Sequence, residues 1–150
     1  MIDKKLMFCI YVNTYGMCNE WIKITKIMSS IIKKMTRNHL MFNLYLDYDI
    51  DVKSMKDLSE ELNNNQIIRY LYLKSDINVE SMKYLSDAIK DNQTIKTLYL
   101  QSDINAESMK YLSNGIKDNQ TIKHLYLQSD INAESMKYLS DAIKYNKNIS

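Results

Sequence analysis

The chain has 150 residues, 45% of them hydrophobic and 25% charged, with a formal net charge of +2, which is the composition of one ordinary folded domain. A balance this close to neutral argues for no particular partner and excludes only a strongly basic or strongly acidic chain. With no proline and only Gly16 and Gly115 as glycines, the chain has neither a flexible linker nor a glycine-rich phosphate loop, and its wealth of Asn, Ile, Lys and Tyr is what AT-rich coding sequence produces.

Residues 1–38 open with Lys4-Lys5 followed by the apolar run LMFCIYV. The charge order is that of a signal peptide, but the run is short and no small-residue cleavage site follows cleanly. Cys9 and Cys18 have no histidine near enough to suggest a metal site, and a reduced pair in an intracellular, cytoplasmic chain is expected. Met28, Ile31 and Met35 lie 27 residues before Met55, Leu58 and Leu62, so this stretch can be the helix of a degenerate repeat. Its strand half is unrecognisable, and Trp21 with the Leu6 to Val12 run is expected to form an N-terminal cap over the first exposed edge.

From residue 39 onward the chain repeats itself every 27 residues, in blocks 39–65, 66–92, 93–119 and 120–146, with NKNIS starting a fifth. The last two blocks differ only at Thr97/His124, Asn114/Asp141, Gly115/Ala142 and Asp118/Tyr145. The first block has drifted most, yet it keeps Leu44, Tyr45, Leu46, Asp49, Ile50, Met55, Leu58 and Asn65. Within a block, Leu98 and Leu100 alternate with Thr97, Tyr99 and Gln101, which predicts a short strand near 98–100 and equivalents near 44–46, 71–73 and 125–127. Asp51, Asn78, Asn105 and Asn132 then stand as N-caps of helices whose apolar stripe is Met109, Leu112 and Ile116 in the third block. Asn65, Asn92, Asn119 and Asn146 suit a left-handed C-cap. Because a helix separates successive strands, the strands should run parallel, and stacked units should share one core of leucine, isoleucine and methionine.

The segment IKTLYLQSDI, with Ile95, Leu98 and Leu100 at its apolar places, resembles the LxxLxLxxNxL signature of leucine-rich repeats, and ESMKYLSNGIKDN resembles the helical half of the ribonuclease-inhibitor-like type. The resemblance implies an α/β leucine-rich-repeat solenoid, a horseshoe arc with short parallel strands on the concave face and helices on the convex face, and it implies protein binding through the concave wall. The chain departs from the family in one place: three residues, not four, separate Leu100 from Ile104. The turn role of the family's ladder asparagine then falls to Ser102 or Asp103, and the recurrence of Asp49, Asp76, Asp103 and Asp130 favours aspartate.

The expected wall carries the column Tyr45, Tyr72, Tyr99 and Tyr126, flanked by Asn43, Tyr70, Thr97 and His124 on one side and Asp47, Lys74, Gln101 and Gln128 on the other. Of these, Tyr45, Tyr72, Tyr99, Tyr126, Tyr70, Lys74, Gln101, His124 and Gln128 are the candidate partner-binding residues. Rigid aromatics give contact area at low entropic cost, although tyrosine also suits a strand for its own sake. Arg69, Lys96 and Lys123 form a basic line, but the acidic residues elsewhere disfavour nucleic acid. One recurring aspartate per turn falls short of the clustered oxygens calcium needs. No nucleophile, base and oxyanion donor can be assembled around the isolated His39 and His124, so neither catalysis, a cofactor nor a metal is expected. No run approaches the length of a membrane span.

The alternative to a binding module is a structural solenoid, or a fragment of a larger repeat protein, with no dedicated ligand. In either case the last block is expected to expose Leu125, Leu127, Ile131, Met136 and Leu139, and so to self-associate weakly through this uncapped C-terminal edge or to fray after about Thr121.

Overall fold

A computed structural model describes residues 7–12, 41–47 and 50–150. Its elements alternate along the repeats: β1 (Met7–Val12), β2 (Met41–Asp47), α1 (Val52–Asn64), β3 (Ile68–Lys74), α2 (Val79–Asp91), β4 (Thr97–Gln101), α3 (Ala106–Asp118), β5 (His124–Gln128) and α4 (Ala133–Tyr145). The strands form one parallel sheet in the order β1-β2-β3-β4-β5. Its register places Leu44, Leu71, Leu98 and Leu125 side by side, then Tyr45, Tyr72, Tyr99 and Tyr126, then Leu46, Leu73, Leu100 and Leu127.

One core runs through all the repeats. It joins the leucines of one sheet face to the helix residues Met55, Leu58, Leu62, Met82, Leu85, Ile89, Met109, Leu112 and Ile116. The helices therefore cover the leucine face, while Tyr45, Tyr72 and Tyr99 on the alternate positions stay half-buried on the other. Tyr84, Tyr111 and Tyr138 pack half-buried against the same core from the helices.

Each helix starts where a capping side chain intercepts its first free N–H groups. Asp51, Asn78, Asn105 and Asn132 accept from the N–H of Ser54, Ser81, Ser108 and Ser135 at 2.7 to 2.8 Å. Each helix ends by a different device from the one the sequence suggests. Asn65, Asn92, Asn119 and Asn146 have extended backbone, with φ from −82 to −69° and ψ from 112 to 135°, so none is a left-handed cap. Their side chains instead organise the corner leading into the next strand. Asn119 Oδ1 accepts from the N–H of Thr121 and Ile122 at 2.8 and 2.7 Å. Its Nδ2 donates to the carbonyls of Ile89 and Asn92, one repeat back, at 2.7 and 3.0 Å. Asn146 does the same to Ile116 and Asn119 at 2.6 and 2.8 Å.

The turn after the strand also corrects an expectation. Ser75, Ser102 and Ser129 Oγ accept from the N–H of Ile50, Ile77 and Ile104, each in the preceding repeat, at 2.8 to 2.9 Å. Asp76, Asp103 and Asp130 are exposed, and Asp49 lies outside the described residues. The shorter turn brings the compact serine hydroxyl against the neighbouring backbone and leaves the aspartate in water.

Two further expectations change. The Leu6 to Val12 run does meet the edge of β2, but Met7–Val12 does so as a strand of the sheet, with Ile10, Tyr11 and Val12 in register with Leu44, Tyr45 and Leu46. The expected helix around Met28 to Met35, Trp21 and Cys18 lie outside the described residues. In the last repeat Leu139 is buried and Leu125, Leu127 and Ile131 are half-buried, short of the exposure expected, whereas Met136, Ile143 and Tyr145 are the exposed large apolar side chains of α4. At 147–150 the next corner has begun: the Asn148 N–H donates to Asn146 Oδ1, and the Ser150 N–H to the Lys123 carbonyl.

Candidate functional site

Period two in a strand and period 27 along the chain bring one tyrosine per repeat to the sheet face opposite the helices. Their rings lie against one another: centroids are 5.7 Å apart for Tyr45–Tyr72, 4.7 Å for Tyr72–Tyr99 and 6.0 Å for Tyr99–Tyr126, the latter two pairs stacked. Ring spacings of this size follow from parallel strands in exact repeat register, and each contact adds a modest attraction beyond burial. Tyr70, in the flanking column, stacks on Tyr45 at 5.4 Å and so widens the row at the β2–β3 end.

The second flanking column bonds to the tyrosine row. The Tyr72 hydroxyl donates to Gln101 Oε1 at 3.0 Å and the Tyr99 hydroxyl to Gln128 Oε1 at 2.7 Å, each reaching diagonally into the next repeat. The matching diagonal neighbour of Tyr45 is Lys74, whose Nζ instead pairs with Asp47 at 3.1 Å. The two glutamine bonds anchor the Tyr72 and Tyr99 rings at their hydroxyls. His124 is exposed at the start of β5, next to Thr97 in register, and Tyr126 is the most open of the column at 51% exposure.

Electrostatically the row is a face of neutral phenols. Burial raises the Tyr70 hydroxyl above its ordinary value of 10.0, and the neighbouring Tyr45, followed by Tyr126, Tyr99 and Tyr72, pushes it the same way, since each would repel a second phenolate. Arg69 does not project as a free basic group: its guanidinium donates to the Thr94 carbonyl at 3.1 Å. Among the described residues no three His, Cys, Asp or Glu side chains gather into a group able to hold a metal ion, and no helix is long and apolar enough to cross a membrane.

All nine candidate residues thus fall on one sheet face. A fifth tyrosine position, not evident from the 27-residue spacing, lies on the same sheet. Tyr11 stands in register with Tyr45 on the next strand, so the tyrosine positions run across five strands, not four. The signal was the apolar–Tyr–apolar triplet Ile10-Tyr11-Val12, hidden because Tyr11 precedes Tyr45 by 34 residues while the other repeats are spaced by 27. Comparison with protein-family models and with curated proteins finds no match for the chain.

Proposed function

We propose that this chain is a leucine-rich-repeat solenoid of the ribonuclease-inhibitor-like type, with the sheet as its concave wall, and that it is a non-catalytic module binding another protein through that wall. The observation that carries the reading is the pre-set aromatic row, in which stacked tyrosines stand one per strand with the hydroxyls of Tyr72 and Tyr99 held by Gln101 and Gln128. A surface of this kind supplies large contact area without the entropic cost of ordering side chains on binding. The graded chemistry along it, from the Lys74–Asp47 pair through glutamines to His124, gives a partner something to read in register.

The rival reading, a structural solenoid with no dedicated ligand, draws on the same bonds, because tyrosines tied to one another and to glutamine also stiffen a sheet. The two readings separate in one comparison. Tyr72→Ser/Tyr99→Ser/Tyr126→Ser and Lys110→Ala, a change on the outer helix surface, are tested beside the unmodified chain in affinity purification from its native cells. A partner retained by the unmodified chain and Lys110→Ala but lost by the triple variant, with circular dichroism unchanged in all three, supports the binding wall. An identical captured set from all three, or loss only on unfolding, favours the structural role.

A further inference from the structure

Tyr72 and Tyr99 form the tightest ring contact described on the wall, with centroids 4.7 Å apart and planes 25° from parallel. Both hydroxyls donate along the same diagonal, to Gln101 and Gln128 of the following repeat, so the two rings share one orientation and differ by a single repeat step. Each ring carbon therefore faces its own equivalent, and the tilt brings one edge closer than the centroids. The pairs on either side match less well: Tyr45–Tyr72 is tilted by 39° at 5.7 Å, and Tyr99–Tyr126 stands at 6.0 Å. A second tyrosine column supplies the contrast. Tyr84 and Tyr111 are also 27 residues apart and half-buried, but they stand on α2 and α3, and no ring contact joins them. Packed helices lie about 8–10 Å apart, whereas neighbouring strands are about 4.7–4.9 Å apart, so only the sheet brings equivalent rings together.

We infer that Tyr72 and Tyr99 are an oxidative cross-linking site, at which a one-electron oxidant of the haem-peroxidase class, driven by hydrogen peroxide, joins β3 to β4 through a dityrosine bond. Each phenol gives up one electron and its O–H proton and becomes a phenoxyl radical, whose unpaired spin is shared with the ring carbons ortho to oxygen. One ortho carbon of each ring combines with the other into a carbon–carbon bond, and the hydrogen on each then moves to its own oxygen, restoring two phenols. The pair has lost two electrons and two protons, which reduce one hydrogen peroxide to two water molecules. Coupling requires that two short-lived radicals meet, and rings already stacked in register replace that encounter with a step inside one molecule. Gln101 and Gln128 hold the hydroxyl ends of the two rings to the same side, which keeps the ortho carbons beside them matched. In a linear array each repeat is held by its neighbours, so a covalent bond across one interface makes two repeats open together and restricts the unfolded chain between them. The site is independent of whether the wall binds a partner.

The test is to treat the dilute chain with a haem peroxidase and hydrogen peroxide and to digest it with trypsin, which releases Tyr70–Lys74, Tyr84–Lys90, Thr97–Lys110 and Tyr111–Lys117 as separate peptides. Mass spectrometry should find Tyr70–Lys74 joined to Thr97–Lys110, two hydrogens lighter than their sum, in about tenfold or greater excess over Tyr84–Lys90 joined to Tyr111–Lys117. Tyr72→Phe and Tyr99→Phe should each remove this product and Tyr70→Phe should leave it, with circular dichroism unchanged because phenylalanine keeps the ring stack. The yield should be the same across a dilution series and should be lost when urea unfolds the chain before oxidation. The cross-linked chain should unfold at a higher urea midpoint than the Tyr99→Phe chain treated alike. No dityrosine, equal yields from the wall and helix pairs, coupling chiefly between separate chains on dilution, or survival of the product in Tyr72→Phe would each overturn the site. An unshifted midpoint would overturn its role as a staple between repeats.

Discussion

Asn119 binds forward to two amides of its own corner and backward to two carbonyls of the previous repeat, and it is fully buried. A side chain with both an acceptor and two donors can do this, whereas serine or aspartate at the same place would leave half of the groups unmet. That is why asparagine recurs at every helix end although none adopts the left-handed backbone that usually explains it. Gly115 presents the opposite problem, since its value lies in what it omits. It stands where α2 and α4 carry Ala88 and Ala142, and a Cβ added there would come 2.5 Å from the Ser86 carbonyl oxygen and 2.7 Å from its hydroxyl. Helix propensity favours alanine by about 1 kcal/mol. Overpacking against backbone costs about 1–3 kcal/mol. The second effect should win, so Gly115→Ala is expected to lower stability by up to about 2 kcal/mol, read as a reduced denaturant midpoint at unchanged slope. A gain in midpoint would show that α2 and α3 can move apart at little cost.

At the scale of one helix, the periodic stripe and the cap were legible in the sequence, and the structure places both where the spacing puts them: α3 begins at Ala106 after Asn105 and buries Met109, Leu112 and Ile116. The corners were not legible, because a hydrogen bond to the repeat behind has no local signature. Choosing between Ser102 and Asp103 requires knowing which side chain points at the neighbour. The same blind spot hid the bonds from Tyr72 to Gln101 and from Tyr99 to Gln128, each spanning 29 residues. The stripe itself contains a polar anomaly. Ser81, Ser108 and Ser135 are buried at the first turn of their helices, and their hydroxyls have no partner although their N–H groups are capped. A buried hydroxyl without a partner destabilises by its desolvation, so Ser108→Ala should be neutral or stabilising by up to about 1 kcal/mol. Leu112→Ala, which empties a fully enclosed site in the same helix, should cost about 2–5 kcal/mol. Equal losses from both substitutions in chemical denaturation would mean that the serine hydroxyl is bonded in solution after all.

Across the whole molecule, stability should be distributed by neighbours and not by sequence, because the repeats are nearly the same sequence. β4 pairs on both sides and α3 packs between α2 and α4, while β5 has only β4 and α4 only α3 among the described elements. In a linear array each unit is held by its own folding free energy plus one term for each covered interface. The blocks 93–119 and 120–146 differ at four positions, none of them in the leucine, isoleucine or methionine core, so their intrinsic terms are close and the interface term decides. Native-state hydrogen exchange on the 150-residue chain should therefore show α3 amides exchanging only through near-global opening and the matching α4 amides exchanging faster through local opening. Equal protection of α3 and α4 would mean that a repeat here is stable with one neighbour.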